Sequence, residues 1–113
     1  MELTINRSKD EAGRDTLVLD GSIDLVTRQM LLDEGLAVIE RGEELALDMA
    51  EVDFIDSTGI GALVELARAA KARGSGVQIS RSSARVARVL EFSGLDQALD
   101  SLSPASDAGA GAR

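Results

Sequence analysis

The apolar residues of this chain switch repeatedly between a period of two and a period of about 3.6, which restricts the fold more than any single motif does. Glu2 to Arg7 alternates, with Leu3 and Ile5 on one face, and reads as a half-buried strand. The charged stretch Lys9 to Arg14 contains Gly13 and reads as a hairpin connection. A second strand is expected over Asp15 to Asp20, more fully buried because of Leu17-Val18-Leu19, with Gly21 ending it. From Leu25 to Arg41 the spacing becomes helical. Leu25, Leu32, Leu36 and Ile39 share a face, Asp24 or Thr27 can cap the start, and Arg41-Gly42 can close the end. Alternation returns over Glu43 to Met49, with Leu45, Leu47 and Met49 inward. A second helix is expected over Thr58 to Arg73, with Ile60, Leu63, Val64, Ala67 and Ala70 inward and Glu65, Arg68 and Lys71 outward. Gly74-Ser75-Gly76 stops it, and Val77 and Ile79 mark a short fourth strand. Ser82 or Ser83 caps a third helix that buries Val86, Val89 and Leu90 and ends at Gly94; Leu95, Ala98, Leu99 and Leu102 suggest one more short helix.

The resulting order, β-β-α-β-α-β-α, predicts a single α/β domain over residues 1–102. It implies a mixed β-sheet with right-handed crossover helices, about four to five strands and three to four helices, its first strand added antiparallel. Alternation in the first and third strands predicts that part of one sheet face is less well covered. Residues 103–113, SPASDAGAGAR, hold the only proline and no apolar side chain able to offset ordering entropy, so they read as a disordered tail.

Composition narrows the chemistry. A chain of 113 residues accommodates one domain, and with 2% aromatic residues and no Trp or Tyr its core must be aliphatic. The net charge of −8 argues against a nucleic-acid partner or an anionic membrane surface, both of which call for clustered Lys and Arg. No Cys means no disulfides, thiol catalysis or thiolate metal sites, and no His means no imidazole base, ligand or phosphocarrier. The first fifteen residues carry seven charged side chains, so no signal-peptide core is expected there. The longest uncharged run, Ser57 to Val64, is eight residues, far short of a membrane span, and a cytoplasmic protein without membrane insertion is expected.

Enzymatic motifs are missing. There is no GxxxxGK loop, Gly59-Ile60-Gly61 lacks the third glycine of a dinucleotide fingerprint, and no GxSxG elbow occurs. Asp53-Phe54-Ile55-Asp56 has the wrong spacing for an aspartyl-nucleophile phosphatase. Asp48, Glu51, Asp53 and Asp56 cluster in sequence, and carboxylates suit Mg²⁺ or Ca²⁺, but the spacing is not that of a calcium loop. A solvated acidic stretch is the simpler reading, and no metal, cofactor or catalytic residue is expected.

The most informative stretch runs from Val52 to Gly61, where a strand and loop hand over to a helix. Asp56 or Ser57 is placed to cap that helix. Capping leaves two glycines unexplained, since Gly59 and Gly61 each disfavour a first helical turn by ~1 kcal/mol relative to Ala. Missing β-carbons beside a serine let another backbone or a ligand come close. A phosphate on Ser57 would sit at a positive helix end and would bring about −1.5 to −2 charge beside Asp53 and Asp56.

Asp56-Ser57-Thr58-Gly59-Ile60-Gly61 resembles the signature of the STAS domain family, shared by bacterial anti-sigma factor antagonists and the cytosolic tails of sulfate transporters. Gly21-Ser22-Ile23-Asp24 is similar to the family's G-x-[IL]-D segment, and Ser93-Gly94-Leu95 to its helix-ending SGL. The resemblance implies an anti-sigma factor antagonist that binds a kinase-type anti-sigma factor and so releases a sigma factor. That partner would bind ATP and phosphorylate Ser57, and a PP2C-type phosphatase would reverse it. Asp24 and Asp56 would flank the phosphosite, with Thr58, Gly59, Ile60 and Gly61 on the partner-binding side and Thr58 a second possible acceptor. The family's further strand-like stretch and last helix are not matched by the short Asp96 to Leu102. The alternative is a small STAS subunit of an ABC-type lipid transport complex, bound to its ATPase. A stand-alone enzyme is disfavoured.

Overall fold

The computed structural model describes residues 2–95 of the chain. Its elements are β1 (Leu3–Lys9), β2 (Asp15–Ile23), α1 (Arg28–Glu40), β3 (Leu45–Ile55), α2 (Ser57–Ala72), β4 (Val77–Ser82) and α3 (Ala84–Ser93). The strands lie in the order β1-β2-β3-β4. β1 runs antiparallel to β2, and β2, β3 and β4 are mutually parallel. This is the mixed sheet with crossover helices that the changes of period predict. No helix among the described residues is long and apolar enough to cross a membrane.

The core is aliphatic. Leu17, Leu19, Leu45, Leu47 and Met49 of the sheet meet Leu31, Leu32, Val38 and Ile39 of α1, Leu63, Leu66, Ala67 and Ala70 of α2, and Val86 and Leu90 of α3. Neither phenylalanine contributes: Phe54 is 38% exposed and Phe92 is 92% exposed. The opposite positions along the strands, among them Thr4, Asn6, Asp20, Gln78 and Ser80, face solvent, which leaves part of one sheet face open. On α2 the outward residues Glu65, Arg68 and Lys71 are exposed, as their spacing requires, while Ile60 and Val64 are half-buried at the edge of the buried stripe.

Element boundaries move in three places, each for a local reason. β2 does not stop at Gly21 but continues to Ile23. Gly21 adopts φ +121°, and the pairing with β3 shifts register between Gly21 and Ser22. A β-carbon at Gly21 would collide with the Glu2 carbonyl, so the glycine marks an irregularity within a strand, not its end. β3 likewise runs past Met49 to Ile55: Glu51 and Asp53 look like loop residues in sequence, yet they are outward positions on either side of buried Val52. α1 begins at Arg28, and Leu25, expected on its buried face, is 71% exposed. The cause is Asp24, whose carboxylate accepts from the Val26 and Thr27 amides and folds residues 25–27 into a turn ahead of the helix.

Ser83, not Ser82, caps α3, accepting from the Val86 amide, and Gly94 closes that helix in the left-handed conformation. The expected fourth helix falls outside the described residues apart from Leu95, which is buried and helical. Residues 103–113 also lie outside them.

Candidate functional site

The register of β2 on β3 assembles the site. Ile23 pairs with Ile55, so the next residues, Asp24 and Asp56, stand beside each other at the carboxyl ends of neighbouring parallel strands. The Asp56 amide extends the ladder by donating to the Ile23 carbonyl at 3.2 Å. This edge is where open α/β sheets place binding sites, because each chain leaves its strand there and turns into a helix whose amides face outward.

Each aspartate organises the turn that follows it. Asp56 is the N-cap of α2: one carboxylate oxygen accepts from the Thr58 amide at 2.9 Å, the Gly59 amide at 3.0 Å and the Thr58 hydroxyl at 2.6 Å. Those bonds, the Thr58 hydroxyl foremost and then the Gly59 amide, hold the Asp56 carboxyl below the usual carboxylate range. Asp24 is buried, and besides the Val26 and Thr27 amides its carboxylate lies 3.3 Å from the Thr27 hydroxyl. Thr27 Oγ1 donates to the Ser22 carbonyl at 2.8 Å and accepts from the Asp24 amide at 3.0 Å, locking the turn.

Ser57 follows as the first residue of α2, and its side chain is exposed. Because Asp56 does the capping, the Ser57 hydroxyl makes no hydrogen bond among the described residues. The two glycines, alike in sequence, differ in surroundings. A β-carbon at Gly59 would lie 2.7 Å from the Ile23 carbonyl oxygen and 2.8 Å from side-chain carbons of Ile23 and Ile55, so this glycine is required by the protein's own packing. Gly61 is exposed, with nothing within 4 Å of the same position. Ile60 lies half-buried between them.

The acidic cluster disperses on folding. Asp48 pairs with Arg81 at 2.6 Å, Asp53 accepts from the Ser22 hydroxyl at 3.1 Å, and Asp56 is the cap. No group of three or more potential metal ligands gathers among the described residues.

Two features escape the sequence. Arg28 reaches across from the start of α1, its Nε donating to the Thr58 carbonyl at 3.3 Å, so a half-buried cation touches the first turn of α2. A cation in the first turn of α1 opposes the helix dipole, and that unfavourable placement is the signal that could have singled it out. The second is an apolar rim at the same end of the sheet: Leu25 and Val26 are 71% and 79% exposed and Met30 is 46% exposed. Leu25 is hidden from sequence reading because it fits a helical period that begins only later.

The family model for the Mlab, STAS domain matches residues 7–103. The chain belongs to the STAS domain family. This STAS domain is 28% identical over 80 residues to the anti-sigma-B factor antagonist of Bacillus subtilis (strain 168), covering 71% of this chain and 73% of that protein. Among solved structures it is similar to an anti-sigma factor antagonist from Mycobacterium paratuberculosis, with a TM-score of 0.70 at 26% identity over 85% of this chain and 81% of the other. The anti-sigma factor antagonist SpoIIAA in its unphosphorylated form shares the fold, with a TM-score of 0.66 at 21% identity over 81% and 82% of the two chains.

Proposed function

We propose that this STAS domain is an anti-sigma factor antagonist whose binding is switched by phosphorylation of Ser57. The observation that carries the reading is the division of labour at the start of α2. Asp56 satisfies the helix amides, which leaves the adjacent hydroxyl exposed and unused by the fold. Relatives named as anti-sigma factor antagonists support the choice of partner.

In this reading the partner docks on Leu25, Val26 and Met30 together with the exposed start of α2, where Gly61 lets a foreign backbone approach. The partner, an anti-sigma factor with serine-kinase activity, brings ATP and releases its sigma factor on binding. Transfer forms a bond from the γ-phosphorus to Ser57 Oγ, breaks the bond to the ADP oxygen and releases the hydroxyl proton to a base of the partner, and from there to solvent. The product places about −1.5 to −2 charge beside Asp24 and Asp56, which opposes a partner shaped for a neutral hydroxyl. Arg28, bonded to the same helical turn, partly offsets that charge within the free protein. A PP2C-type phosphatase restores the hydroxyl by hydrolysis. The STAS domain supplies no catalytic group; it presents an acceptor.

Titration of wild type, Ser57→Ala and Ser57→Asp against the co-encoded partner, with ADP and with ATP, tests this. Ser57→Ala should retain affinity and accept no phosphate. Ser57→Asp should bind roughly tenfold more weakly or worse, ~1.4 kcal/mol or more. Equal affinity for all three, with no phosphate on Ser57 by mass spectrometry, would point to the constitutive transporter-subunit reading.

A further inference from the structure

Arg28 holds more hydrogen-bonding capacity than the fold uses. A guanidinium has five N–H donors, and here Nε is engaged, by the neutral Thr58 carbonyl at 3.3 Å. The other four donors have no partner among the described residues, and Arg28 takes part in none of the ion pairs there. Asp24 stands four residues earlier, a spacing that suits an ion pair on a helix, but its carboxylate is turned to the Val26 and Thr27 amides. Asp56 is engaged likewise by the first turn of α2. A half-buried cation, in a first helical turn where the dipole disfavours it, is thus left beside the turn that carries Ser57.

A phosphoryl group on Ser57 would find its usual donors taken. Free amides at a helix start serve an anion, but those of Thr58 and Gly59 already donate to Asp56. Counter-charge must therefore come from side chains. Asp24, Asp53 and Asp56, at the ends of β2 and β3, are carboxylates. On the outward face of α2, Glu65 is acidic, and Arg68 lies eleven residues beyond Ser57, about 16 Å along the axis. Arg28 instead touches the residue next to Ser57, and neighbouring Cα atoms are about 3.8 Å apart.

We propose that Arg28 is the phosphate-binding residue of the switch. On phosphorylation of Ser57 its guanidinium leaves the Thr58 carbonyl and donates to the phosphoryl oxygens, a charge-assisted pair that a neutral carbonyl cannot match. The inference rests on Ser57 as the phosphoacceptor and adds the group that receives its charge. A cation beside the phosphate favours the dianion, whereas the three carboxylates favour the monoanion. The phosphate's second pKa, about 6 when unperturbed, is set by that competition. Arg28 keeps the modified serine doubly charged near neutrality and ties the modified start of α2 to α1.

Phosphoserine placed at position 57 during translation gives the modified full-length protein without any kinase, and phosphorus-31 NMR reads the phosphate's second pKa. Arg28→Gln should raise that pKa by about half a unit or more relative to wild type. Arg28→Lys keeps the charge without the planar fork and should raise it by less. Arg68→Gln, farther away than charges act at physiological salt, should leave it unchanged. In the wild-type sequence the Arg28 Nε–Hε signal should move with the phosphate's own pKa, a measurement that needs no variant to fold. Equal pKa values in wild type and Arg28→Gln, an equal rise in Arg68→Gln, or an Nε–Hε signal indifferent to the phosphate would each overturn the proposal. Such results would leave the switch itself standing. A Ser57 that no partner phosphorylates would instead remove the switch while these shifts stayed measurable.

Discussion

A β-carbon at Gly59 would press on the Ile23 carbonyl oxygen at 2.7 Å, and that oxygen belongs to strand backbone held by the Asp56 amide. It cannot yield without opening the end of the sheet. Gly59→Ala is therefore expected to lose ~1–3 kcal/mol, seen as a lower urea midpoint at unchanged slope. Gly61→Ala should instead gain up to ~1 kcal/mol, since the position is an open, solvent-facing helical site. If the partner docks as proposed, the stabilised Gly61 variant will bind it more weakly, and calorimetric titration separates the two effects. Asp56 sets a pH dependence. Its folded-state carboxyl titrates below the usual value, so its contribution is complete above the unfolded pKa of about 4 and fades as pH falls through that value toward the lower folded one. Asp56→Asn keeps an acceptor oxygen without the charge. The variant should be less stable than wild type at pH 7, and the gap between their urea midpoints should close between about pH 5 and pH 3.

At the scale of elements, α3 is held by its buried Val86 and Leu90 and, at its start, by one hydroxyl. Ser83 Oγ donates to the Val52 carbonyl at 2.7 Å and accepts from the Val86 amide at 3.2 Å, tying the helix start to β3. Ser83→Ala should lower stability by ~1–2 kcal/mol in chemical denaturation, because it removes both the helix cap and the bond to the Val52 carbonyl. The order and kind of all seven described elements were legible from period alone, because strands with a buried face and amphipathic helices carry different periods. Their ends were less so. Gly21 carries a terminator's signature but sits at a register shift, and Glu51 and Asp53 resemble a loop although they are the outward half of a strand. Leu31 and Val38 of α1, and Ala62 and Leu66 of α2, are core residues beyond those the apolar spacing singles out, which mark only one edge of each buried stripe. In the site, Asp24, Asp56 and Ser57 were visible as a motif, but their adjacency is not local. It comes from the pairing of Ile23 with Ile55, and Arg28 joins only because α1 and α2 pack together.

For the whole molecule, core and charge divide the work: burial of Leu, Val and Ile holds the sheet to its helices, and among the described residues the acidic side chains lie mostly outside it, Asp24 and Asp48 being the buried ones. Residues 103–113 contain no Leu, Ile, Val, Met or aromatic side chain. A chain shortened to end at Ser103 should melt within a few degrees of the full-length protein by differential scanning calorimetry, whereas a large drop would move the domain boundary outward. The separation of cap from hydroxyl at the start of α2 has a consequence for how this protein would fail. A mutation at Asp56 damages the fold and would be purged as poorly accumulating protein. Replacing the Ser57 side chain removes no hydrogen bond among the described residues, so under the proposed switch it yields an abundant, well-folded protein that can no longer be turned off. Screens for stability or expression would pass such a variant, and only a measure of the timing of its output would reveal the defect.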